Sequence, residues 1–296
     1  MTAPGPGARL ALGTAQLGLH YGVANRTGRP ARAQAAAILA AAQAVPVAFL
    51  DTAPAYGDAE ALLGELLPPA APVAVVTKTP SGVAARPGGV GAALAASLQR
   101  LRRPRVEGLL VHDRRELLAA EGEALWRALV ALRERGVVAR LGVSVYHPEE
   151  ALALHARFPL EIVQLPCNVL DQRAWSSGLI ADLASAGVEV HVRSAFLQGA
   201  LLLPPEQLPP WLAHGRAAVA AFQAHAQSLG LTPLQAALGF VAALPGVHAV
   251  VCGAERPEQL AELVAGLGTR VVPGDFTRLA SADRTLVDPS QWQVPR

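Results

Sequence analysis

Eight short apolar segments recur along the chain, and a stretch of helical length follows most of them. The majority are nearly continuous runs of Val, Leu, Ile and Ala. Runs of this kind are typical of parallel strands that are buried on both faces of a sheet. The predicted strands cover residues 10–14, 47–51, 73–78, 106–112, 140–144, 162–166, 188–193 and 249–253.

The segments between these strands are rich in Ala and Leu, with clear helical candidates at residues 32–44, 91–101, 123–135 and 148–156. Strand–helix alternation repeated about eight times predicts an α/β fold, namely a (β/α)8 TIM barrel that forms a single domain over residues 1–296. A doubly wound open sheet is the alternative, but it usually carries a glycine-rich phosphate-binding loop after a strand. No G-x-G-x-x-G follows a predicted strand, so the barrel is favoured.

Two connections and the end of the chain depart from simple alternation. Residues 18–30, after the first strand, form a polar, glycine-rich loop that a barrel would place on its C-terminal rim, where active sites are built. An enlarged connection of about fifty residues separates strands seven and eight. It contains a predicted helix at 213–229 and another from Thr232, where Thr232 and Gln235 form a capping-box pattern. After Val272 the chain is a polar tail.

Composition narrows the class of protein. Hydrophobic residues make up 52% of the chain and charged residues 16%, which predicts a large core and excludes a disordered chain. The net charge of +2 is scattered, so we expect no nucleic-acid partner. No segment has the pattern of a membrane span or a signal peptide. We therefore expect a cytoplasmic protein, monomeric or a small homo-oligomer, with no membrane partner. Cys167 and Cys252 fit no metal-binding spacing and are expected to be buried apolar residues, with no bound metal.

Lysine is used once in this chain. Of the 25 Lys and Arg residues, only Lys78 is a lysine, and it ends the third predicted strand. Arginine stays a protonated fork, whereas the pKa of a lysine can shift when it is buried. This usage indicates that Lys78 serves a chemical purpose, although an ordinary lysine at a strand end in an arginine-biased chain is the alternative.

Four polar side chains are predicted to meet near Lys78. Asp51 ends strand two, Lys78 ends strand three, His112 ends strand four, and Tyr56 follows Asp51 by five residues. Adjacent strands lie about 5 Å apart, so these side chains should converge on one part of the rim. Asp51 alone would be explained as a helix cap and His112 alone as a hydrogen-bonded core residue. Together they are harder to explain as packing, because each buried polar group needs a partner.

This group of residues is suited to carbonyl reduction. A tyrosine titrates near pH 10 and is a poor acid unless a cation favours its ionised form. Lys78 could be that cation, held and kept charged by Asp51, while His112 hydrogen-bonds the carbonyl oxygen of a substrate. Carbonyl reduction needs a proton at oxygen and a hydride at carbon. Because no side chain supplies a hydride, a nicotinamide cofactor is expected.

The stretch Asp51-Thr-Ala-Pro-Ala-Tyr-Gly57 resembles the D-T-A-x-x-Y-G motif of the aldo-keto reductase family, and Lys78 and His112 fall at the matching strand ends. The resemblance covers nearly the whole chain. It implies a (β/α)8 barrel that uses NADPH, with NADH as the alternative, usually without a metal. It also implies that Tyr56 is the general acid, that Lys78 and Asp51 tune it, and that His112 orients the carbonyl group.

The same resemblance implies a set of cofactor contacts. Gly13 and Thr14 would lie near the cofactor, and Ser144 and Gln164 would hold the nicotinamide carboxamide. Arg193 stands where many members have a stacking tyrosine. The remaining implied contacts are Ser194, Leu197 and Gly199 along the pyrophosphate, and Gly253, Arg256 and Gln259 near the adenosine 2′-phosphate.

Three positions depart from the family pattern. Val145 replaces an asparagine that contacts the carboxamide, and Asn168 is a candidate substitute. Gln259 replaces an arginine near the 2′-phosphate, where Arg256 could supply the missing charge. Leu263 replaces an asparagine near the adenine. These departures concern the choice between NADPH and NADH more than the fold.

The loop at 18–30 and the stretch 193–202 are similar to a bacterial branch of the family that is associated with sugar or polysaccharide biosynthesis. The candidate pocket residues His20, Tyr21, Asn25 and Trp292 are polar for a substrate pocket and favour a small polar aldehyde, ketone or aldose. Two other functions stay open. One is a non-catalytic nicotinamide-nucleotide sensor on the same fold, and the other is a barrel enzyme that uses Lys78 as a Schiff-base amine.

Overall fold

The computed structural model describes residues 8–68, 71–86 and 88–292. Eight parallel strands close into a barrel in which each strand pairs with its sequence neighbours and the first pairs with the last. Each strand lies within two residues of its predicted bounds, so the barrel prediction is confirmed. The strands are β1 (Arg9–Gly13), β2 (Val47–Asp51), β3 (Ala74–Lys78), β4 (Val106–Val111), β5 (Val138–Ser144), β6 (Ile162–Pro166), β7 (Glu189–Arg193) and β8 (Val247–Gly253).

Helices surround the barrel and occupy the connections after most strands. The α-helices are α1 (Ala15–Gly18), α2 (Arg32–Ala44), α3 (Ala59–Leu66), α4 (Gly89–Leu101), α5 (Arg115–Leu118), α6 (Gly122–Glu134), α7 (Glu150–Arg157), α8 (Arg173–Ser176), α9 (Leu179–Ser185), α10 (Arg216–Ser228), α11 (Pro233–Ala242), α12 (Glu258–Leu267) and α13 (Arg284–Val287). Shorter 3-10 helices are Val83–Ala85, Leu197–Leu202, Pro205–Gln207, Pro210–Gly215, Pro273–Leu279 and Pro289–Gln291. Within the described residues, no helix has the length and apolar character needed to cross a membrane.

The core has two parts, one inside the barrel and one between the barrel and the helices. The inner part is a small cluster made of Ala11, Phe49, Val76, Leu110, Ile162 and Ala249. Side chains two positions apart on a strand face the same side. The residues that follow this cluster by two positions therefore also face the barrel interior, at its C-terminal end.

The enlarged connection between β7 and β8 contains α10 and α11. Its predicted capping box is confirmed. The Gln235 amide N–H donates to Thr232 Oγ1 over 3.2 Å, and the Thr232 amide N–H donates to Gln235 Oε1 over 3.0 Å. Pro233 occupies the first helical position, where its missing N–H costs no hydrogen bond. The start of α11 is therefore determined locally.

The sequence predicts a polar tail after Val272, but this tail contains buried apolar residues. Phe276 is fully buried, with its ring centroid 5.4 Å from that of Phe240 and 4.9 Å from that of His225. Leu286 and Val287 are also buried. These apolar residues are spaced too widely to give a helical or strand pattern, and they anchor the tail on the connection between β7 and β8.

Candidate active site

The eight strands each bring one residue to the C-terminal mouth of the barrel. Phe49 faces the interior, and Asp51 follows it by two positions on the same side. Val76 precedes Lys78, and Leu110 precedes His112, in the same way. The full set around the mouth is Gly13, Asp51, Lys78, His112, Ser144, Gln164, Arg193 and Gly253. The four residues implied as catalytic are therefore brought together, with Tyr56 on the turn after β2.

A buried hydrogen-bonded chain connects three of these residues. Lys78 Nζ donates to Asp51 Oδ2 over 2.7 Å and to the Thr52 carbonyl oxygen over 3.1 Å. Gln164 Nε2 donates to Asp51 Oδ1 over 2.7 Å. Lys78 is 1% exposed and Asp51 is 3% exposed. Burial lowers the pKa of Lys78, but Asp51 and Tyr56 outweigh that effect and raise it above its usual value. Lys78 is therefore a charged ammonium at neutral pH.

Tyr56 lies directly against this ammonium. Lys78 Nζ is 4.9 Å from the centroid of the Tyr56 ring, and the His112 ring meets the Tyr56 ring edge-on with centroids 6.1 Å apart. Burial raises the pKa of Tyr56, while Lys78 lowers it and offsets part of that rise. The lysine acts in the direction that the sequence predicted, but burial prevails, so Tyr56 holds its proton in this state.

His112 is held in its neutral form. Its backbone N–H donates to Thr79 Oγ1 over 3.2 Å. Burial and then the Lys78 cation lower the pKa of His112 from 6.5 to about 4. A neutral imidazole has one N–H donor and one acceptor nitrogen, so His112 can donate a hydrogen bond to an oxygen beside Tyr56 without carrying a charge.

The depressed pKa of His112 predicts an acid-sensitive stability. As pH falls from 6.5 towards 4, the unfolded chain takes up a proton on His112 and the folded protein does not. The free energy of unfolding should therefore decrease over that window, and it should decrease less in His112→Gln. Urea unfolding of both proteins at about pH 7 and about pH 5 measures the difference. Parallel losses in the two proteins would contradict the assignment.

A cavity of about 560 Å³ opens beside Asp51 and Tyr56. Ligand sites commonly have about 300–1,000 Å³, so the cavity has the size of a small-molecule site. Other residues implied as cofactor or substrate contacts also line it, namely Gly13, Tyr21, Asn25, Arg193, Ser194, Gly199, Gly253, Arg256 and Gln259. The cavity therefore runs from Asp51 and Tyr56 to the start of α12.

The comparisons with known proteins agree with this arrangement. The sequence profile described as the Aldo/keto reductase family matches residues 9–284. The chain belongs to the aldo/keto reductase family. Members of this family are oxidoreductases that act on small carbonyl compounds, so the chain is an oxidoreductase of that kind. In sequence, no curated protein matches the chain.

Solved structures share the barrel of this aldo/keto reductase. An aldo-keto reductase from Bacillus halodurans in its holo form superposes with a TM-score of 0.75 at 19% identity, over 93% of this chain and 92% of that one. A glycerol dehydrogenase from Gluconobacter oxydans gives 0.70 at 22% identity, over 93% and 91%. A Pseudomonas aeruginosa protein described as an aldo-keto reductase gives 0.64 at 25% identity, over 88% and 90%.

Several implied contacts of this aldo/keto reductase lie behind the cavity wall. Thr14 Oγ1 donates to the Asp51 carbonyl oxygen over 3.0 Å. Ser144 Oγ donates to Gln164 Oε1 over 3.3 Å, next to the bond from Gln164 to Asp51. Leu197 is fully buried. These side chains support the lining residues in the structure described here.

Asn168 does not substitute for the asparagine that Val145 replaces, and that interpretation is wrong. Its Nδ2 donates to the Ser194 carbonyl oxygen over 3.1 Å. Its Oδ1 accepts from the amides of Leu170 and Asp171, both over 2.9 Å, and the residue is fully buried. Its side chain therefore closes the loop after β6 and does not line the cavity.

Of the four predicted pocket residues, two line the cavity and two do not. Tyr21 and Asn25 line the cavity, but Asn25 holds the loop with both ends of its amide, which bond the backbone of residues 21, 27 and 28. His20 is exposed outside the lining. Trp292 also lies outside the lining: its ring lies 5.3 Å from that of Trp211, and its Nε1 donates to the Leu286 carbonyl oxygen over 3.2 Å.

The turn after β7 shapes the cavity wall opposite α12. Ser194, Leu197 and Gln198 all have positive φ, at 62°, 49° and 54°. Such backbone conformations are costly for residues other than glycine and persist only where the surroundings impose them. Here the Gln198 carbonyl oxygen accepts from the Val23 amide over 2.8 Å, which ties the turn to the loop after β1. At Gly199, with φ 92°, a Cβ would lie 2.6 Å from Ala24 Cβ, so glycine is required.

The start of α12 forms the far end of the cavity. Gln259 Oε1 accepts from the backbone amides of Glu255 over 2.7 Å and Arg256 over 3.0 Å. Two N–H donors that could face an anion are therefore already satisfied. The Arg256 side chain is exposed at this end, and Glu255 and Glu262 add carboxylates to the same lining. Arg256 is therefore the exposed cation at the start of α12 that could meet a phosphate.

The sequence reasoning missed Gln16, Gln34, Glu255 and Glu262 as lining residues. Gln16 follows Gly13 by three positions, and the two glutamates flank Gln259, so continuing along the same segments would have found three of them. Cys167 and Cys252 are buried and unpaired, as predicted. Within the described ranges, no cluster of three His, Cys, Asp or Glu side chains is placed to hold a metal.

Proposed function

We propose that this aldo/keto reductase reduces a small polar aldehyde, ketone or sugar-like carbonyl with NADPH, or with NADH as the alternative cofactor, and that Tyr56 is the general acid. One observation carries the proposal: protonated Tyr56 lies at the wall of a cavity, and the centroid of its ring is 4.9 Å from an ammonium that is kept charged by a buried carboxylate. A proton donor next to a fixed cation is suited to an oxygen that becomes negative.

The cavity fits a nicotinamide cofactor. Its volume of about 560 Å³ is within the range of small-molecule sites. Glycines at its wall allow close packing of the chain, because a Cβ on Gly253 would meet the side-chain amide of Gln16 at 2.1 Å and a Cβ on Gly199 would meet Ala24. Gly13, Arg193, Ser194, Gly199 and Gly253 are the residues that would hold the cofactor, with Arg256 at its far end. When bound, the cofactor supplies the hydride.

The residues of the chain have separate roles in the proposed reaction. Tyr56 donates its proton to the carbonyl oxygen as the carbonyl carbon receives the hydride. Lys78 stabilises the negative charge that Tyr56 then carries, and Asp51 keeps Lys78 charged and in place. His112, neutral at physiological pH, donates a hydrogen bond to the same carbonyl oxygen. In the reverse direction these roles run backwards, as alcohol oxidation.

The Schiff-base alternative has little support. A lysine that attacks a carbonyl must lose its proton, and enzymes achieve this by lowering its pKa. The pKa of Lys78 is instead raised, and its Nζ is buried with two acceptors at 2.7 and 3.1 Å. The nucleotide-sensor alternative would use the same cavity and differs only in turnover.

One experiment separates these functions. The purified protein is titrated with NADPH and with NADH while nicotinamide fluorescence is followed, and the loaded protein is then given a panel of small aldehydes, ketones and aldoses. Binding with oxidation of the cofactor supports the reductase, and binding with no oxidation by any carbonyl supports the sensor. If neither nucleotide binds at hundreds of micromolar, about the upper range of ordinary KM values, the proposal fails. Borohydride trapping of a carbonyl compound on Lys78 would then support the Schiff-base enzyme.

Arg256 gives a test of the cofactor preference. If Arg256 binds the 2′-phosphate, Arg256→Gln should weaken NADPH binding by about tenfold and leave NADH binding within about twofold, because only NADPH carries that phosphate. Raising the salt concentration should reduce the difference between the two cofactors in the unmodified protein. Glu262→Gln is a matched control, because it removes a carboxylate from the same end and should tighten NADPH binding. Equal losses for both cofactors in Arg256→Gln would contradict the role.

A further inference from the structure

Arg193 brings an unbalanced positive charge to the wall of the active site. The guanidinium Nη2 donates to the Val145 carbonyl oxygen over 3.0 Å, and Nη1 donates to Ser194 Oγ over 3.3 Å. Its other near partner is the Tyr146 ring, whose centroid lies 4.1 Å from Arg193 Cζ. All three partners are neutral. Among the described residues no carboxylate lies within ion-pair distance of Arg193, whereas Lys78 has Asp51.

The charge acts on the reacting centre. Arg193 and Tyr56 line the same cavity. Its charge lowers the pKa of Tyr56 and that of His112, although burial is the larger cause of the shift in both. Its charge therefore acts on the proton donor and on the imidazole, beside the Asp51–Lys78 pair, in which the two charges balance. Arg193 adds one net positive charge to this set.

We propose that Arg193 makes the site bind the reduced cofactor more tightly than the oxidised cofactor. This inference rests on the proposed function, which places a hydride donor beside the carbonyl that Tyr56 protonates. In the proposed reaction the carbonyl carbon would take the hydride and the carbonyl oxygen the proton of Tyr56, which gives the alcohol. A nicotinamide ring is neutral when reduced and cationic when oxidised, so the two forms of the cofactor would differ by one charge. A fixed cation nearby disfavours the charged ring and leaves the neutral ring unaffected.

The packing of Arg193 makes the effect specific to this residue. Guanidinium remains protonated at all working pH values, and two hydrogen bonds and the Tyr146 ring hold it in one orientation. An aromatic residue in this position would act in the opposite sense, because a ring face attracts a cation. The charge at position 193 would thus favour capture of the reduced cofactor and release of the oxidised cofactor.

Binding measurements test the inference without turnover. The dissociation constants of NADPH and NADP⁺ are measured by calorimetry at low salt for the unmodified protein, Arg193→Gln and Arg193→Lys. Arg193→Gln should lower the ratio of the NADP⁺ constant to the NADPH constant by about tenfold, the size of one unit charge acting across a partly solvated site. Arg193→Lys, which keeps the charge, should retain most of the ratio. Far-ultraviolet circular dichroism checks that each variant is folded.

Arg256→Gln is the matched control, because it removes an arginine from the far end of the same cavity. It should change the binding of both redox forms alike and leave their ratio within about twofold. A ratio that is unchanged in Arg193→Gln, or lost equally in Arg193→Lys, overturns the inference and leaves the reductase intact. Absence of nucleotide binding in the unmodified protein overturns both the inference and the proposed function.

Discussion

Replacing Tyr56 with phenylalanine is expected to lower kcat for carbonyl reduction by about 10²- to 10⁴-fold, the usual contribution of a general acid. The change removes one hydroxyl group, and the ring keeps its packing against His112 and Lys78. Nucleotide binding should stay within about twofold, because the phenol acts on the carbonyl oxygen rather than on the cofactor. Steady-state kinetics and a parallel fluorescence titration measure the two effects.

Tyr21→Phe is the matched control for this variant. Tyr21 lines the same cavity and also loses one hydroxyl group in the substitution. Because its role is placed on the substrate side, its kcat should remain within about fivefold, and any effect should appear in KM. A Tyr56→Phe protein that keeps more than about a tenth of kcat would contradict the assignment of Tyr56 as the acid.

Replacing Lys78 with methionine is expected to lower the free energy of unfolding by about 3–5 kcal/mol. The substitution leaves Asp51 as an unpaired carboxylate in a site that is 3% exposed, with Gln164 as its remaining side-chain donor. Catalysis should fall sharply as well, since the ammonium that lies against the Tyr56 ring is then removed. Urea unfolding gives the stability, and the kinetic assay gives the activity.

A double variant separates the charge from the packing. Adding Asp51→Asn to Lys78→Met removes the unpaired charge, so stability should recover while activity stays low. Arg157→Met is the control for loss of an exposed pair, because Arg157 and Glu123 are 43% and 56% exposed, and it should cost about 1 kcal/mol or less. If Lys78→Met is as stable as the unmodified protein, the pair does not hold the site together.

The residues at the barrel mouth could be predicted because their positions depend only on where each strand lies and on its period of two residues. Once a strand is placed, its period of two determines which residue reaches the mouth, as in Phe49 and Asp51 or Val76 and Lys78. Parallel strands in a closed barrel all end at the same face, so eight strand ends predict eight neighbouring residues. This reasoning needs no knowledge of the loops.

The partners of several polar and aromatic side chains could not be predicted from the sequence. The side chains of Asn168 and Gln259 each accept hydrogen bonds from backbone amides of their own turns. Nothing in the sequence distinguishes a side chain used in this way from one that contacts a ligand. Trp292 packs on Trp211, in a connection whose path no periodic pattern describes. The positive φ of Leu197 was equally unforeseeable, because glycine and asparagine are the residues that signal it.

Burial of the single lysine also determines how this protein reacts with reagents that modify lysine amines. Lys78 is the only source of an ε-amino group in the chain, and folding encloses it at the centre of the barrel mouth. Acylating reagents and aldehyde fixatives consequently find no lysine on the folded surface. Modification of Lys78 would require the barrel mouth to open. The rate at which Lys78 is modified under native conditions therefore reports how often the mouth opens. In a chain with lysines on its surface, their faster modification would hide that of the buried lysine. In this chain no lysine has to be removed before the measurement.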